Sequence, residues 1–266
     1  MTAPLSTQSE VITEVERHVF LKACDDLLQP ERFKDYGPNG LQVEGRPVIR
    51  RVVSGVTASR ALIEKAIEVQ ADALFVHHGL FWRGQSGCIT GWMKQRLALL
   101  LAHDINLFAY HLPLDAHPQW GNNARLGQVL GFLPPSEAEW GRFGDQALGF
   151  WGSADFEGPQ ALARHIEGVL GRGVTWVGDA GRPIRRVAWC TGGAQSYFES
   201  AIELGVDAFI TGELSEPQAH YARECGVAFL ACGHHATERY GAPAVAGHLS
   251  EQLGLWHTYM EVDNPA

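Results

Sequence analysis

Two stretches of this chain can be laid on each other without a gap, and that match limits the possible folds more than any other feature. They are RRVVSGVTASRALIEKAIEVQADALFV (50–76) and RRVAWCTGGAQSYFESAIELGVDAFIT (185–211). Both open on Arg-Arg-Val and share Ala66-Ile67-Glu68/Ala201-Ile202-Glu203. Both reach Asp-Ala (Asp72-Ala73, Asp207-Ala208) ahead of a final apolar run. Each reads as strand, helix, strand, which favours a parallel pair with a right-handed crossover. Two such units predict an α/β chain of two related half-domains, with mixed sheets and flanking helices. The copies differ at their ends, where His77-His78-Gly79 faces Gly212-Glu213-Leu214. Both ends lie just past the carboxyl end of a strand, where open α/β sheets place their ligand sites.

The rest of the chain fills in around these units. Helical spacing marks 10–28, 92–104, 158–170, 216–226 and a segment opening near Asn122. Residues 35–45 (DYGPNGLQVEG) read as a turn, and 105–117 (INLFAYHLPLDAH) as a strand. Residues 133–184 are irregular apart from their helix. VAFLACGHHATERYGAPAVAGHLSEQLG (227–254) predicts strand, turn and helix, and 255–262 a last strand. The expected division is a first α/β domain over 1–130, a second over 131–227 carrying the second copy, and 228–266 packing back on the first.

With 266 residues, 45% of them apolar, the chain can build a core without a disulfide or metal staple. Its formal charge of −9 gives little counterion-release affinity for nucleic acid, which argues against a DNA-binding role. The five cysteines (Cys24, Cys88, Cys190, Cys225, Cys232) form no C-x-x-C pair and are expected to be small buried hydrophobes. The start lacks a basic segment followed by an apolar one, and no run of about 18 residues is wholly apolar. A cytoplasmic protein with no membrane partner is the expectation.

Three places share one design, an apolar run ending in side chains able to bind metal. They are His77-His78; His111 to His117 around Asp115; and His234-His235 with Glu238. Imidazole and carboxylate suit zinc, iron and manganese. Adjacent strand residues point to opposite sides, so His77 and His78 could each serve a different ion. His234 and Glu238, four apart, share a face if a helix starts near His234. Taken singly, each has an ordinary alternative: a half-buried histidine pair, a turn or cap aspartate, a solvated glutamate. Taken together, they predict a dinuclear site of His77, His78, Asp115, His234 and Glu238. Glu238 is the candidate bridge between cations about 3.5–4 Å apart.

The chain resembles a known family, the dinuclear-metal-centre hexameric proteins, also called type 2 homologues of GTP cyclohydrolase I or NIF-three-like proteins. The resemblance runs through GPNGLQVEG, GVTAS, ALFVHHGLFW, YHLPLDAHPQWGNNARLG, TGELSE and GHHATERYG. It implies the same five ligands, two divalent transition-metal ions per chain (iron, zinc or manganese), two repeat-related α/β domains and a toroidal homo-hexamer. The length matches the family's short form. The family's name implies hydrolysis of a purine nucleotide, with hydroxide attacking C8 to open the imidazole ring. There is no P-loop to hold a triphosphate, so a phosphate grip would have to come from side chains such as Arg83, Lys94 or Arg239, of this chain or of a neighbouring subunit. The alternative is a non-catalytic, metal-holding scaffold or partner-binding ring.

Other residues have open roles. His111 and His117 would share a face with Asp115 if the strand ran unbroken, and Pro113 argues against that. They could support the ligands, relay protons or be structural. His235 is expected to point away from the metal. Glu213 could orient a ligand or bind substrate. Asn39 and Gln42 could donate to a substrate, although Asn39-Gly40 is first of all turn chemistry. Trp82, Trp92 and Trp120 read as core or as a stacking surface for a base.

Overall fold

The computed structural model describes residues 13–136 and 139–266. Two mixed sheets form the frame. The first runs in the order Trp256–Tyr259, Arg51–Thr57, Ala73–His78, Asn106–Ala109, Gly40–Val43, and only the last strand is antiparallel to its neighbour. The second runs Gly141–Phe143, Gly149–Phe156, Ile184–Trp189, Ala208–Thr211, Ala228–Ala231, Thr175–Val177, with a parallel centre and antiparallel flanks.

The repeat is structural down to individual bonds. Val52 pairs with Ala73 and Val187 with Ala208, which are corresponding positions of the two copies. In the first copy one oxygen of Asp72 accepts the Arg50 and Arg51 amides, at 2.8 and 2.9 Å. In the second, Asp207 accepts the Arg185 and Arg186 amides at 2.9 and 3.0 Å. Each aspartate thus fixes where the first strand begins.

Both sheets are covered on both faces, and their central strands therefore read as unbroken apolar runs. Along Ala73–His78, Phe75 packs against Phe20, Val245 and Leu249 on one side. Leu74 and Val76 pack against Leu62, Ile63 and Leu97 on the other. In the second sheet Ile210 and Leu230 meet Leu162, Ile166 and Trp189, whereas Phe209 and Phe229 meet Phe198.

The structure departs from the sequence reading in five places. The first helix spans Arg17–Leu28, because Val15–Glu16 pairs with Val48–Ile49; residues 10–12 lie outside those described. Gly40–Val43 is an edge strand, not a turn. The strand expected over 105–117 ends at Ala109, and a helical turn, Leu112–Ala116, follows with Pro113 in its first turn. The irregular middle holds an eight-residue strand, Gly149–Phe156, whose glycines and outward polar residues hid its period. Strand Ala228–Ala231 belongs to the second sheet, so in sheet membership only the chain after it returns to the first. Among the cysteines, Cys24, Cys190 and Cys232 are buried as expected, but Cys88 and Cys225 are exposed. No helix of the described residues is long and apolar enough to cross a membrane.

Candidate metal centre

The carboxyl ends of the parallel strands of both sheets converge, and each expected ligand sits on one of them or on the loop that follows. His77 and His78 close strand Ala73–His78. Asp115 lies on the turn Leu112–Ala116, which follows Asn106–Ala109. His234 and Glu238 come from the turn His234–Thr237 and its C-cap, after Ala228–Ala231. Two glycines let this last turn settle onto the sheet ends. A Cβ on Gly192 (φ +71°) would stand 2.1 Å from Oε1 of Glu238, and one on Gly212 would stand 2.6 Å from the Cα of His234.

Glu238 is at the middle. Its Oε1 lies 3.3 Å from Nε2 of His77 and 3.3 Å from Nε2 of His234, and its Oε2 lies 3.3 Å from Nε2 of His78. Asp115 Oδ1 is 3.5 Å from Nε2 of His77. Two groups able to hold an ion result, His77/Asp115/Glu238 and His78/His234/Glu238. The two adjacent histidines fall in different groups and the carboxylate of Glu238 in both. Donors about 2.0–2.2 Å from one tetrahedral ion lie about 3.3–3.6 Å from each other, so these spacings fit ligation. Nε2 of His77 and Oε2 of Glu238 are buried and make no hydrogen bond. Orphaned lone pairs of this kind call for a partner.

The imidazoles are held from behind. Nδ1 of His77 faces the Tyr110 carbonyl at 3.2 Å, Nδ1 of His78 the Thr57 hydroxyl at 3.1 Å, and Nδ1 of His234 the Glu213 carboxylate at 2.6 Å. A proton on Nδ1 leaves Nε2 aimed inward, the usual arrangement behind metal-binding histidines. Glu213 occupies the position of His78 in the second repeat copy. Asp115 accepts from Asn122 at 2.9 Å and from the Thr191 hydroxyl at 3.1 Å.

With protein groups alone the charges are strongly coupled. Burial opposes protonation of His77, yet Asp115 and Glu238 overcome it and raise its pKa to about 9. Burial likewise opposes protonation of His234, and Glu238 and Glu213 raise it to about 9. Burial holds His78 down to about 3, with its cationic neighbours adding to the effect against the pull of Glu238. Burial raises Asp115. Glu238 goes well below the ordinary range, because the surrounding imidazoles outweigh its burial.

A family model described as Duf34/NIF3 (NGG1p interacting factor 3) matches residues 15–265. The chain belongs to the DUF34/NIF3 family. A Neisseria meningitidis serogroup A protein named GTP cyclohydrolase 1 type 2 homolog is 53% identical over 253 residues, 95% of this chain and 100% of the relative. A Pseudomonas aeruginosa protein of the same name is 50% identical, over 92% of this chain and 97% of the relative. Among solved structures, protein ybgI, described as of unknown function, matches with a TM-score of 0.88 at 47% identity, covering 95% of this chain and 100% of that one.

In this DUF34/NIF3 chain His111 stands beside the centre. Its ring is 5.0 Å from that of His77, and it forms a third group with His77 and His78. Asp35, which the sequence reading passed over, holds it: Oδ1 meets Nδ1 of His111 at 2.6 Å, and Oδ2 accepts Asn39 and the Leu112 amide. Burial would raise Asp35, but the His111 bond and charge, with these other donors, bring it to about 2. Asp35→Ala strands these donors and is expected to cost about 3 kcal/mol. It should leave metal content intact, because Asp35 touches none of the five ligand atoms. Urea midpoints and elemental analysis check both halves.

Other expected residues lie elsewhere. His117 turns away and accepts the Gln119 and Trp120 amides, and burial, then His248 and Arg142, lower it to about 4. His235 faces away from the cluster, onto Glu261 at 2.5 Å. Asn39 and Gln42 do not line the cavity beside the cluster. Asn39 joins Asp35 to the His111 amide, and Gln42 joins the Pro38 carbonyl to the Leu80 amide. Trp82 lines that cavity, whereas Trp92 is exposed beneath Arg96 and Trp120 stacks on His248. Asn122 and Thr191, which brace Asp115, gave no metal-type signal in the sequence.

Proposed function

We propose that this chain binds two divalent transition-metal ions, iron, zinc or manganese, through His77, His78, Asp115, His234 and Glu238. With them it hydrolyses a nucleotide-like small substrate, working as a homo-hexamer. The observation that carries the reading is the sharing of Glu238 between two donor groups at 3.3–3.5 Å spacings. When bound, such a pair supplies an activated water and a Lewis acid. The protein's part is to fix the donors, through Glu213, Thr57, Tyr110, Asn122 and Thr191, and to shape the space beside them. A cavity of about 400 Å³ opens next to His78, His111, His234 and Glu238, large enough for a small substrate. That space favours turnover over a purely structural metal. His111, buttressed by Asp35, is the group placed to take or return a proton at the cavity wall.

The test is elemental analysis of protein purified without added metal, followed by a hydrolysis screen with the metal found. Turnover that is lost on chelation and restored by that metal supports the reading. Turnover unchanged after chelation, or no bound metal even after reconstitution, overturns it.

A further inference from the structure

The basic residues considered for a phosphate grip are not part of the metal cavity. Arg83 donates to the Asp35 carbonyl at 2.7 Å, Arg239 donates to the Leu170 carbonyl at 2.6 Å, and Lys94 is exposed on helix Gly91–Ala102. None of the three lines that cavity. Cationic side chains gather instead at a second cavity, of about 560 Å³. The turn Leu112–Ala116 separates the two: Leu112 and Asp115 face the metal cavity, Pro113 and Ala116 the second one. Leu27, Leu28, Phe33 and Pro113 give the second cavity apolar walls. Arg32, His117 and Arg142 give it donors, and no Asp or Glu among the described residues lines it. The chain has 30 acidic residues against 21 basic ones, so a cavity with two guanidinium groups and no carboxylate runs against its composition.

Arg142 is the informative member. Its Nε donates to the Ala147 carbonyl at 2.8 Å, its Nη1 to the Ala116 carbonyl at 2.9 Å, and its guanidinium lies 3.9 Å from the centre of the Phe150 ring. Burial lowers its pKa to about 10, so the cation has lost part of its hydration. No carboxylate of the described residues pairs with it, and its Nη2 makes no hydrogen bond among them. A desolvated guanidinium without a counter-ion is costly, and an oxyanion is the partner that its planar donors fit. Arg32 donates only to the Gln29 side chain, at 2.8 Å. His117 accepts the Gln119 and Trp120 amides on Nδ1, which leaves its proton on Nε2 as a further donor. Gln146 and Ala147, which also line the cavity, are consecutive non-glycine residues at φ 48° and 54°. Strain of that kind concentrates at ligand sites and persists where bonds hold it, here those of Arg142 to Ala147 and of the Lys34 amide to Gln146 at 2.8 Å.

We infer that this second cavity is a binding site, separate from the metal centre, for a small organic anion with one carboxylate or phosphate head on a compact apolar body. Arg142 takes the head through its unused Nη2, Arg32 adds charge, His117 adds a neutral N–H, and the apolar walls cover the body. The site does not depend on what the metal centre does.

Calorimetry on the full chain as purified tests this with benzoate, phenyl phosphate, benzamide and inorganic phosphate. Benzoate or phenyl phosphate is expected to bind, and the tighter of the two identifies the head. Benzamide has the body without the charge and inorganic phosphate the charge without the body, so each should bind about tenfold more weakly. Arg142→Gln should weaken the aryl anion about tenfold, and Arg32→Gln, at an exposed position, about threefold. Arg142 also braces two turns, whereas Arg32→Gln gives up only a bond to Gln29, so the second variant decides if the first does not fold. An oxyanion can also bind a metal ion directly, and chelated protein separates the two sites: it should bind the aryl anion as tightly as untreated protein. The inference is overturned if neither aryl anion binds, if binding disappears on chelation, or if it is unchanged in the folded variants. Benzamide or inorganic phosphate binding as tightly as the aryl anion would overturn it too.

Discussion

Glu238→Ala is expected to empty both metal positions at once. Its carboxylate is the one donor common to His77/Asp115/Glu238 and His78/His234/Glu238, so neither group keeps a complete set without it. Elemental analysis should fall from about two equivalents per chain to near none. The variant also loses fold stability. Glu238 is 2% exposed, and its charge compensates the buried imidazoles. Removing one partner of such a buried arrangement costs on the order of 3 kcal/mol. Glu238→Gln keeps the volume and most of the packing, so it separates metal loss from misfolding. A smaller effect is expected of Glu213→Gln, which touches only Nδ1 of His234. It should weaken metal affinity about 10–100-fold and leave the fold in place. Glu238→Ala and Glu238→Gln proteins that fold and hold wild-type metal would remove the dinuclear site.

Stripping the metal should reverse the pH dependence of stability. In the stripped protein His77 and His234 have pKa values raised to about 9, against 6.5 for the free side chain. Between those values the folded chain binds more protons than the unfolded one. Their stabilisation is therefore complete below about pH 6.5 and is lost as pH rises through about 9. The loss is on the order of a few kcal/mol. In the loaded protein the same nitrogens must be deprotonated to bind, so metal binding releases protons and strengthens with pH over this window. Thermal denaturation at about pH 6 and about pH 9, with and without chelator, should show the stripped Tm falling and the loaded Tm holding or rising. Below about pH 6.5 both forms should weaken. Burial holds His78 near 3 and His117 and His257 near 4, so the unfolded state takes up the protons first. Parallel curves with and without chelator would mean that the cluster does not bind metal.

What the sequence determined by itself was the repeated unit and the identity of the cluster. Strand–helix–strand order follows from apolar periodicity, a local property, and a gapless copy shows it twice. The structure adds that Asp72 and Asp207 make the same bonds in the two halves. His77-His78, His234 and Glu238 each have an ordinary alternative taken singly, and they stood out because metal-competent residues recur directly after several apolar strands. Elements with weak local signals were lost. Gly149–Phe156 is broken by glycines and polar residues, and Gly40–Val43 looked like a turn because of Pro38-Asn39-Gly40.

Only the tertiary structure decided how the cluster is supported and what lies beside it. Asp35, Thr57, Asn122 and Thr191 act through hydrogen bonds made only in the folded chain, and that of Thr191 to Asp115 is made only once the two sheets meet. Asn39 and Gln42 show the converse: plausible donors by type, yet taken up within the chain, Asn39 by the Asp35 carboxylate and the His111 amide and Gln42 by the Pro38 carbonyl and the Leu80 amide. The charge of the cavity wall is likewise a product of folding. Arg83 and Asp145 are separate charges in sequence, and packing turns one guanidinium onto a carbonyl and leaves one carboxylate free at the wall. Composition and periodicity report what a residue can do, whereas the long-range contacts of the fold fix which groups it meets.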